Sequence, residues 1–231
     1  MNLLRKIALQ FSANARKKRA ELFRNHFVLN GDTRVLDLGS ENGTNIYNVL
    51  KDTPVKPENI YIADIVENAV KDGSKQYGFV PVLINGGGVN FPDKYFDIVY
   101  CSSVIEHTTL PKEEIWNVTS ASEFKRRSWQ KQLEFAAEIK RLGKQYFVQT
   151  PNIGFPIESH TWLPLMGYFP RPVFLKLLAI SNRFWVKKAE PDFNLLNRTQ
   201  MQQLFPEAKV EKEIKWGLVK SIMAVKTDSF L

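Results

Sequence analysis

The feature that most constrains the fold is a short apolar run that leads into a glycine-containing turn. The run is TRVLDL at residues 33–38, the glycine turn is GSENG at 39–43, and a helical pattern starts at Asn45. Gly39 lets the backbone turn tightly and allows a ligand to approach it closely. Nucleotide-type ligands bind in the crevice at the carboxyl ends of such strands. The alternative interpretation is a strand-to-helix turn that binds no ligand.

Asp64 favours the ligand-binding interpretation. It ends a second apolar run, IYIAD at 60–64. It also follows the glycine turn by roughly 20 residues, which is the spacing of an acid that binds ribose hydroxyls in nucleotide-binding folds. The alternative role is that of a helix N-cap. Together, the turn and the acid predict a nucleotide-type site at one edge of a sheet.

Further apolar runs predict the rest of the sheet. Predicted strands cover 80–84, 96–101, 145–149, 208–214 and 220–227, and predicted helices cover 130–142 and 199–204. Gly143 is placed to cap the first of these helices. Strands that alternate with helices and end in a strand pair indicate an α/β fold. We expect a mostly parallel seven-stranded sheet with an antiparallel C-terminal edge.

Length and composition suit one domain. The chain has 231 residues, 44% of them hydrophobic. We therefore expect a single domain over 1–231, with a basic helical segment at 1–29 and an insertion at 153–190. Cys101 is the only cysteine, which fits a reducing compartment. Because no apolar run reaches the roughly 18 residues that span a bilayer, we expect a cytoplasmic protein.

The net charge of +8 favours anionic partners such as nucleic acid, acidic lipid headgroups or phosphorylated substrates, unless it serves solubility alone. In residues 1–29 basic side chains are interleaved with apolar ones. Such a helix can lie on the inner face of an anionic membrane as a peripheral contact. The competing prediction is a helix that packs on the α/β core.

Taken together, the motifs resemble those of the class I S-adenosylmethionine (SAM)-dependent methyltransferases, in particular the type 11 group. They are VLDLGSENG at 35–43, IYIADI at 60–65, NFPDKYFDIVYCSSVIEH at 90–107 and QLEFAAEIKRLGKQYFVQTPN at 132–152. The resemblance covers about residues 33–152 and 194–227. It implies a Rossmann-like methyltransferase fold, methyl transfer as the activity and SAM as the cofactor.

The cofactor-binding residues that the resemblance implies lie at or just after the ends of four predicted strands. They are Asp37, Gly39, Ser40, Gly43, Asp64, Ile65, Asn85 and, near the methionine end, Ser102. Asp37 would support the loop and the methionine amino group, and Gly39 would let the backbone pass close to SAM. Asp64 would bind the ribose hydroxyls, with Ile65 beside the adenine. Asn85 would accept a bond from the adenine amino group.

Two residues depart from the family pattern. Glu41 occupies the position of the family's middle glycine, and Asn85 replaces an acid. Weaker SAM binding, or a non-catalytic binding or scaffold protein, is therefore an alternative. A dinucleotide-dependent dehydrogenase is disfavoured because the G-x-G-x-x-G spacing is absent.

The candidate catalytic residues are Glu106 and His107, just past the fourth strand, and His160 in the insertion. Each has a side chain that can remove a proton from an acceptor, and a structural role is the alternative for each histidine. No convincing metal-ligand cluster is evident in the sequence, so no metal is expected.

The insertion at 153–190 is rich in aromatic residues and proline. We expect it to form the acceptor side of the active site or a second core layer that covers the sheet. Its stretch FPIESHTWLP resembles methyltransferases found with polysaccharide and glycolipid assembly enzymes. The expected acceptor is a small-molecule, saccharide or lipid-linked compound, methylated at oxygen. A nucleic-acid methyltransferase is the alternative, although no N-P-P-[YFW] box is present.

Overall fold

The computed structural model describes residues 3–85, 88–185 and 187–228. The chain divides into two compact units. Unit 1 consists of Met1–Ser102, Ile139–Phe147 and Val225–Leu231, and unit 2 consists of Ser103–Glu138 and Val148–Ala224. The assignment of residues 1–231 to a single domain remains a prediction.

The described residues form strands and helices in alternation. The strands are β1 (Val35–Leu38), β2 (Ile60–Asp64), β3 (Val80–Leu83), β4 (Phe96–Ser102), β5 (Gly143–Pro151), β6 (Lys209–Lys215) and β7 (Leu218–Lys226). The helices are α1 (Leu3–His26), α2 (Thr44–Leu50), α3 (Glu67–Tyr77), α4 (Lys112–Ile115), α5 (Ala121–Leu142), α6 (Arg171–Phe184) and α7 (Arg198–Leu204). Short 3₁₀ turns cover Pro57–Asn59, Ile105–His107 and Met166–Tyr168.

The sheet confirms the predicted fold class. Its strand order is β3-β2-β1-β4-β5-β7-β6. β1 pairs in parallel with β2 and β4, and β2 pairs in parallel with β3. β6 and β7 form the antiparallel C-terminal edge. The turn between them has positive φ at both residues, 51° at Trp216 and 75° at Gly217, as a type I′ hairpin turn requires.

In unit 1 the strand register fixes the positions of Asp37 and Asp64. Asp37 of β1 pairs with Ile62 of β2 and with Tyr100 of β4, and Asp64 of β2 pairs with Leu83 of β3. Because these strands are parallel, their carboxyl ends meet at the same edge of the sheet. The loops that follow them therefore lie where nucleotide-type ligands bind in α/β folds.

The second half of α1 packs within unit 1. Phe23 is fully buried, and its ring contacts those of Tyr100 and Phe147 edge to face, with centroids 5.4 and 5.7 Å apart. Lys17 and Lys18 are exposed. These contacts support the packing of the 1–29 segment on the core. Peripheral membrane contact stays a prediction, since the side chains of residues 1–9, 11 and 12 lie outside those described.

Across the described part of the chain, no helix has both the length and the apolar character needed to cross a membrane.

The insertion contributes a core of its own to unit 2. Its buried members, with two residues that follow it, are Met166, Phe174, Leu175, Leu178, Phe193 and Leu195. Arg171 anchors the first turn of α6. Its guanidinium group donates to the carbonyl oxygens of Ile115 and Val118, both at 2.6 Å, and lies 3.4 Å from the ring centroid of Phe124. The apolar residues of the insertion therefore pack within unit 2.

Several predicted elements differ from the observed ones. α3 and α6 were not predicted, and α5 begins at Ala121, well before Gln130. The prolines of the insertion do not prevent α6, because Pro170 and Pro172 stand at its first turn, where proline is tolerated. The prediction that Gly143 caps α5 is wrong. Gly143 is buried as the first residue of β5 and has no positive φ.

We predict that Gly73→Ala destabilises the protein although alanine favours a helix. Gly73 lies inside α3, and a Cβ there would stand 2.3 Å from the carbonyl oxygen of Asn42 in the glycine turn. The backbone must shift to avoid this clash, at an expected cost of about 1–3 kcal/mol. Thermal and urea unfolding measure the change. The neighbouring Ser74→Ala is the control, and an equal or higher stability for Gly73→Ala would contradict the close packing.

Candidate functional site

The glycine turn of unit 1 folds back on the end of β2. The N–H groups of Gly39 and Ser40 both donate to the carbonyl oxygen of Ala63, at 2.8 and 3.1 Å. Gly39 has a φ of 80° and Gly43 a φ of 73°, in the left-handed region that favours glycine. At Gly43 a Cβ would also stand 2.9 Å from Cγ2 of Ile62. Glycine is therefore required there by both conformation and space.

Asp37 places a buried carboxyl group at the end of β1. The residue is 3% exposed, and its Oδ2 has no hydrogen-bond partner among the described residues. Burial, together with repulsion from the carboxylates of Asp64 and Glu41, raises the pKa of Asp37 to about 8. A cationic donor that approached Oδ2 would stabilise the ionised form and satisfy the free oxygen.

Asp64 connects the end of β2 to the glycine turn. Its Oδ2 accepts a bond from the N–H of Glu41 at 2.8 Å, and its Oδ1 accepts one from the N–H of Val66 at 3.0 Å. Val66, rather than Asp64, is the N-cap of α3. Because a carboxylate can accept about four bonds, Asp64 can still accept from hydroxyl groups of a ligand. Ile65 beside it is 68% exposed, so its apolar side chain is accessible to a ring.

Glu41 keeps a backbone conformation typical of glycine. Its φ is 50°, which costs a residue with a Cβ on the order of 1 kcal/mol. The hydrogen bond from its N–H to Asp64 helps to hold this conformation. The departure from the glycine pattern therefore leaves the left-handed turn in place and adds a carboxylate near Asp37.

Asn85 and Ser102 follow the ends of β3 and β4. Asn85 is exposed, and Gly86 and Gly87 after it lie outside the described residues. Ser102 is half-buried and interacts with the hydroxyl group of Tyr100. Both residues belong to unit 1, at the sheet edge that carries the glycine turn and Asp64. Their cofactor-binding roles remain predictions.

The three candidate catalytic residues come together in unit 2. Glu106 and His107 lie in a 3₁₀ turn, and His160 comes from the insertion. One side-chain atom of each residue that could bind a metal, a carboxylate oxygen or an imidazole nitrogen, lies within 4.8 Å of the other two. The two imidazole rings meet edge to face, with centroids 4.7 Å apart. We call Glu106, His107 and His160 the histidine cluster.

Each histidine of the cluster contacts a carboxylate through Nδ1. Nδ1 of His160 lies 2.7 Å from Oε1 of Glu158, and Nδ1 of His107 lies 3.2 Å from Oδ1 of Asp192. Burial lowers the pKa of His160, but the carboxylates of Glu106 and Glu158 outweigh it and raise the pKa to about 9. Hydrogen bonding at Nδ1 fixes each ring and leaves Nε2 for another partner.

Glu106 is the buried carboxylate of the cluster. It is 0% exposed, and neither oxygen has a hydrogen-bond partner among the residues that the structure describes. Its Oε1 lies 3.7 Å from Nε2 of His160, which is beyond hydrogen-bond distance. A buried carboxylate without hydrogen bonds is costly unless a positive charge or a metal ion meets it.

Buried amide groups fix the backbone on which Glu106 stands. Nδ2 of Asn194 donates to Oε1 of Gln132 at 3.0 Å. Nε2 of Gln132 in turn donates to the carbonyl oxygens of Ile105 and Asn194 at 3.0 and 2.9 Å. The N–H of Asn194 donates to the carbonyl oxygen of Glu106 at 2.8 Å. Buried hydrogen bonds therefore hold the backbone of Glu106 in place.

The residues that surround the histidine cluster were not predicted from the sequence. Glu158 and Asp192 orient the two histidines, and Phe193 stacks on His160 with centroids 4.3 Å apart. Glu158 stands two residues before His160, which is the only local signal of this pairing. Asp192 and Phe193 approach through the tertiary fold, so no spacing rule would have found them.

Part of the chain matches a known protein family. Residues 36–120 match the family model described as a methyltransferase domain. The match includes the glycine turn, Asp64 and the pair Glu106 and His107. No match was found among curated proteins.

Solved structures share the fold at low sequence identity. A carbon methyltransferase, CurJ, has a TM-score of 0.53 at 14% identity, over 91% of this chain and 53% of its own. Magnesium protoporphyrin IX methyltransferase from Synechocystis PCC 6803, with bound SAH, has a TM-score of 0.51 at 15% identity, over 98% and 89%. A "possible exported protein" from Bordetella parapertussis has a TM-score of 0.55 at 9% identity, over 93% and 68%. This chain thus spans about half the length of CurJ. Residues 36–120 therefore match a methyltransferase domain of the type 11-like group, and the chain has the Rossmann-like fold of the solved methyltransferases.

Proposed function

We propose that this protein is a SAM-dependent methyltransferase that methylates an oxygen atom of a small-molecule, saccharide or lipid-linked acceptor. In this proposal unit 1 binds the cofactor, and the histidine cluster and insertion of unit 2 serve the acceptor. The observation that carries the cofactor assignment is the unpartnered, buried Oδ2 of Asp37. A cationic ligand would supply the donor that this oxygen lacks.

The residues of unit 1 fit the chemical groups of SAM. Asp37 offers an acceptor to the ammonium group, and Asp64 offers lone pairs to the ribose hydroxyls. The exposed side chain of Ile65 can contact the adenine ring, and the amide oxygen of Asn85 can accept from its amino group. A positively charged ligand also relieves the repulsion that Glu41 and Asp64 exert on Asp37. The SAH bound to the magnesium protoporphyrin IX methyltransferase supports the same ligand class.

SAM, when bound, supplies a methyl group on a positively charged sulfur, which is an activated leaving group. The protein has to hold the acceptor oxygen in line and exclude water. Glu106, His107 and His160 are the candidates for orienting the acceptor hydroxyl group or removing its proton.

The surface of α6 supports an acceptor with an apolar part. Val173, Ile180 and Phe184 are 42, 52 and 74% exposed, and their spacing places them on one side of the helix. An exposed apolar stripe of this kind marks a contact surface for a ligand, a lipid or a protein. Together with the sequence resemblance of the insertion, it favours a lipid-linked acceptor.

Turnover with a panel of acceptors tests this function. Free saccharides, lipid-linked saccharides and small phenols or alcohols would each be incubated with the protein and labelled SAM, and SAH formation measured. Label transferred to an acceptor oxygen supports the proposal. Tight SAM binding without turnover on any acceptor would instead favour a binding or scaffold protein.

We predict that Asp64→Ala weakens SAM binding roughly 10- to 150-fold. The change removes a charge-assisted contact worth about 1.5–3 kcal/mol. Calorimetric titration of SAM and SAH into the purified protein measures it. Asp72→Ala, at an exposed acid of α3, is the matched control and should leave affinity unchanged. The cofactor assignment fails if the native protein does not bind either ligand.

We also predict that SAM binding near pH 7 releases a proton from Asp37. Its pKa of about 8 keeps the carboxyl mostly protonated in the free protein, and a bound cation favours the ionised form. The release should fade above about pH 9, where the group is already ionised. Calorimetry in buffers of different ionisation enthalpy measures the proton count.

Asp37→Asn is the control for this proton, since asparagine has a similar shape and does not titrate. The variant should bind SAM more weakly and lose the proton release. An identical proton count in the native protein and in Asp37→Asn would contradict the assignment to Asp37.

A further inference from the structure

We propose that Glu106, His107 and His160 bind a divalent transition-metal ion, and that a hydroxyl group of the acceptor completes its coordination. The metal site is inferred from unit 2 alone. The coordination of an acceptor hydroxyl rests on the proposed function.

The ligand set is of a kind that binds such ions. Two imidazoles and one carboxylate hold Zn²⁺ in many catalytic sites and Fe²⁺ in others. Ligands about 2.1 Å from one ion stand roughly 3.4 Å apart at a tetrahedral angle and at most about 4.2 Å apart. The 3.7 Å between Oε1 of Glu106 and Nε2 of His160 falls in that range. All three ligand atoms lie within 4.8 Å of one another, so small side-chain movements would complete the site.

The carboxylate of Glu106, which accepts no hydrogen bond from the described residues and has His160 as its ion-pair neighbour at 3.7 Å, is the second observation that points to a ligand. It is fully buried, and neither oxygen accepts a hydrogen bond within the described part of the chain. Burying a carboxylate that accepts no hydrogen bond is unfavourable. A divalent cation bound between Glu106 and the two histidines would compensate both oxygens.

The surroundings of the histidines match those of metal ligands. Glu158 and Asp192 each hold an imidazole at Nδ1. Metal-ligating histidines usually donate one ring N–H to a carboxylate, which fixes the tautomer and aims the other nitrogen at the metal. Glu158 is itself held by the N–H groups of His160 and Thr161, at 2.7 and 2.6 Å. The carboxylates that orient the two histidines, Glu158 and Asp192, are therefore both present.

A buried ion pair is the competing account of the same residues. A protonated His160 between Glu106 and Glu158 would balance part of their charge. This ion pair does not explain why Asp192 orients His107. It also leaves Oε2 of Glu106 without a partner among the described residues. A shared metal ion accounts for all of these contacts at once.

Three protein ligands leave coordination positions open. An acceptor hydroxyl bound there would lose its proton to water more readily, because the ion stabilises the resulting oxyanion. The class of acceptor follows from this geometry: a hydroxylated compound, and preferably a vicinal diol that can occupy two positions.

Metal titration of the full chain tests the proposal. Protein stripped with a chelator would be titrated with Zn²⁺ by calorimetry and with Co²⁺ by visible absorption. We expect one saturable ion per chain, with Zn²⁺ displacing Co²⁺. His107→Gln and Glu106→Gln should weaken binding at least about 100-fold, and Glu158→Gln about 10- to 100-fold. His26→Gln changes the third histidine of the sequence and should leave metal binding unchanged.

Glu106 is fully buried, and Glu106→Gln can therefore prevent folding. His107 is only partly buried, so we expect His107→Gln to fold and to test the site in that case. No saturable ion in the native protein, or equal binding by His107→Gln, overturns the metal site. SAM binding by the same samples keeps the two proposals apart, because a protein that binds SAM but no metal refutes this inference alone. Catechol, as a vicinal diol, should change the Co²⁺ spectrum, and an unchanged spectrum overturns the coordination of the acceptor.

Discussion

Electrostatic repulsion among three carboxylates governs the chemistry of unit 1. Asp37, Glu41 and Asp64 meet where β1 and β2 end, and two of them, Asp37 and Asp64, are buried. The protein reduces the repulsion in two ways. Backbone N–H groups bind both oxygens of Asp64, and the pKa of Asp37 rises until a proton neutralises it near pH 7. The free protein is thus arranged for a cation, and the parallel register of the strands holds the three groups at the same sheet edge.

The sequence predicted the structural elements that depend on local residue patterns. Buried strands are short apolar runs, the glycine turn shows as Gly39 and Gly43, and Asp64 stands at the expected distance from it. The sheet could therefore be predicted from the sequence, together with the positions of the glycine turn and Asp64 at its edge. The prolines before α6 were misleading, because proline breaks a helix interior but suits a first turn. Gly143 was misassigned because a glycine after a helix usually caps it, whereas here packing in β5 decides.

The histidine cluster could be predicted only in part, for a physical reason. Its three members were recognised as reactive residue types, yet their meeting depends on tertiary contacts. The amide pair of Gln132 and Asn194 positions the backbone of Glu106, and Asp192 reaches His107 from far along the chain. Such contacts have no periodic signature. No metal-ligand cluster was evident from the spacing of residues in the sequence, whereas the described structure brings together three potential ligands, one carboxylate and two imidazoles.

Glu41 has a consequence at the level of the gene. The codons for glutamate and glycine differ at a single base. One point mutation can therefore place glycine at position 41, where it would relieve the strain of the left-handed backbone. Such a mutation would keep the path of the chain and remove one negative charge from the neighbourhood of Asp37. The protonation of Asp37, and with it the local potential felt by a cation, is therefore a property that a single nucleotide change can reset without rebuilding the fold.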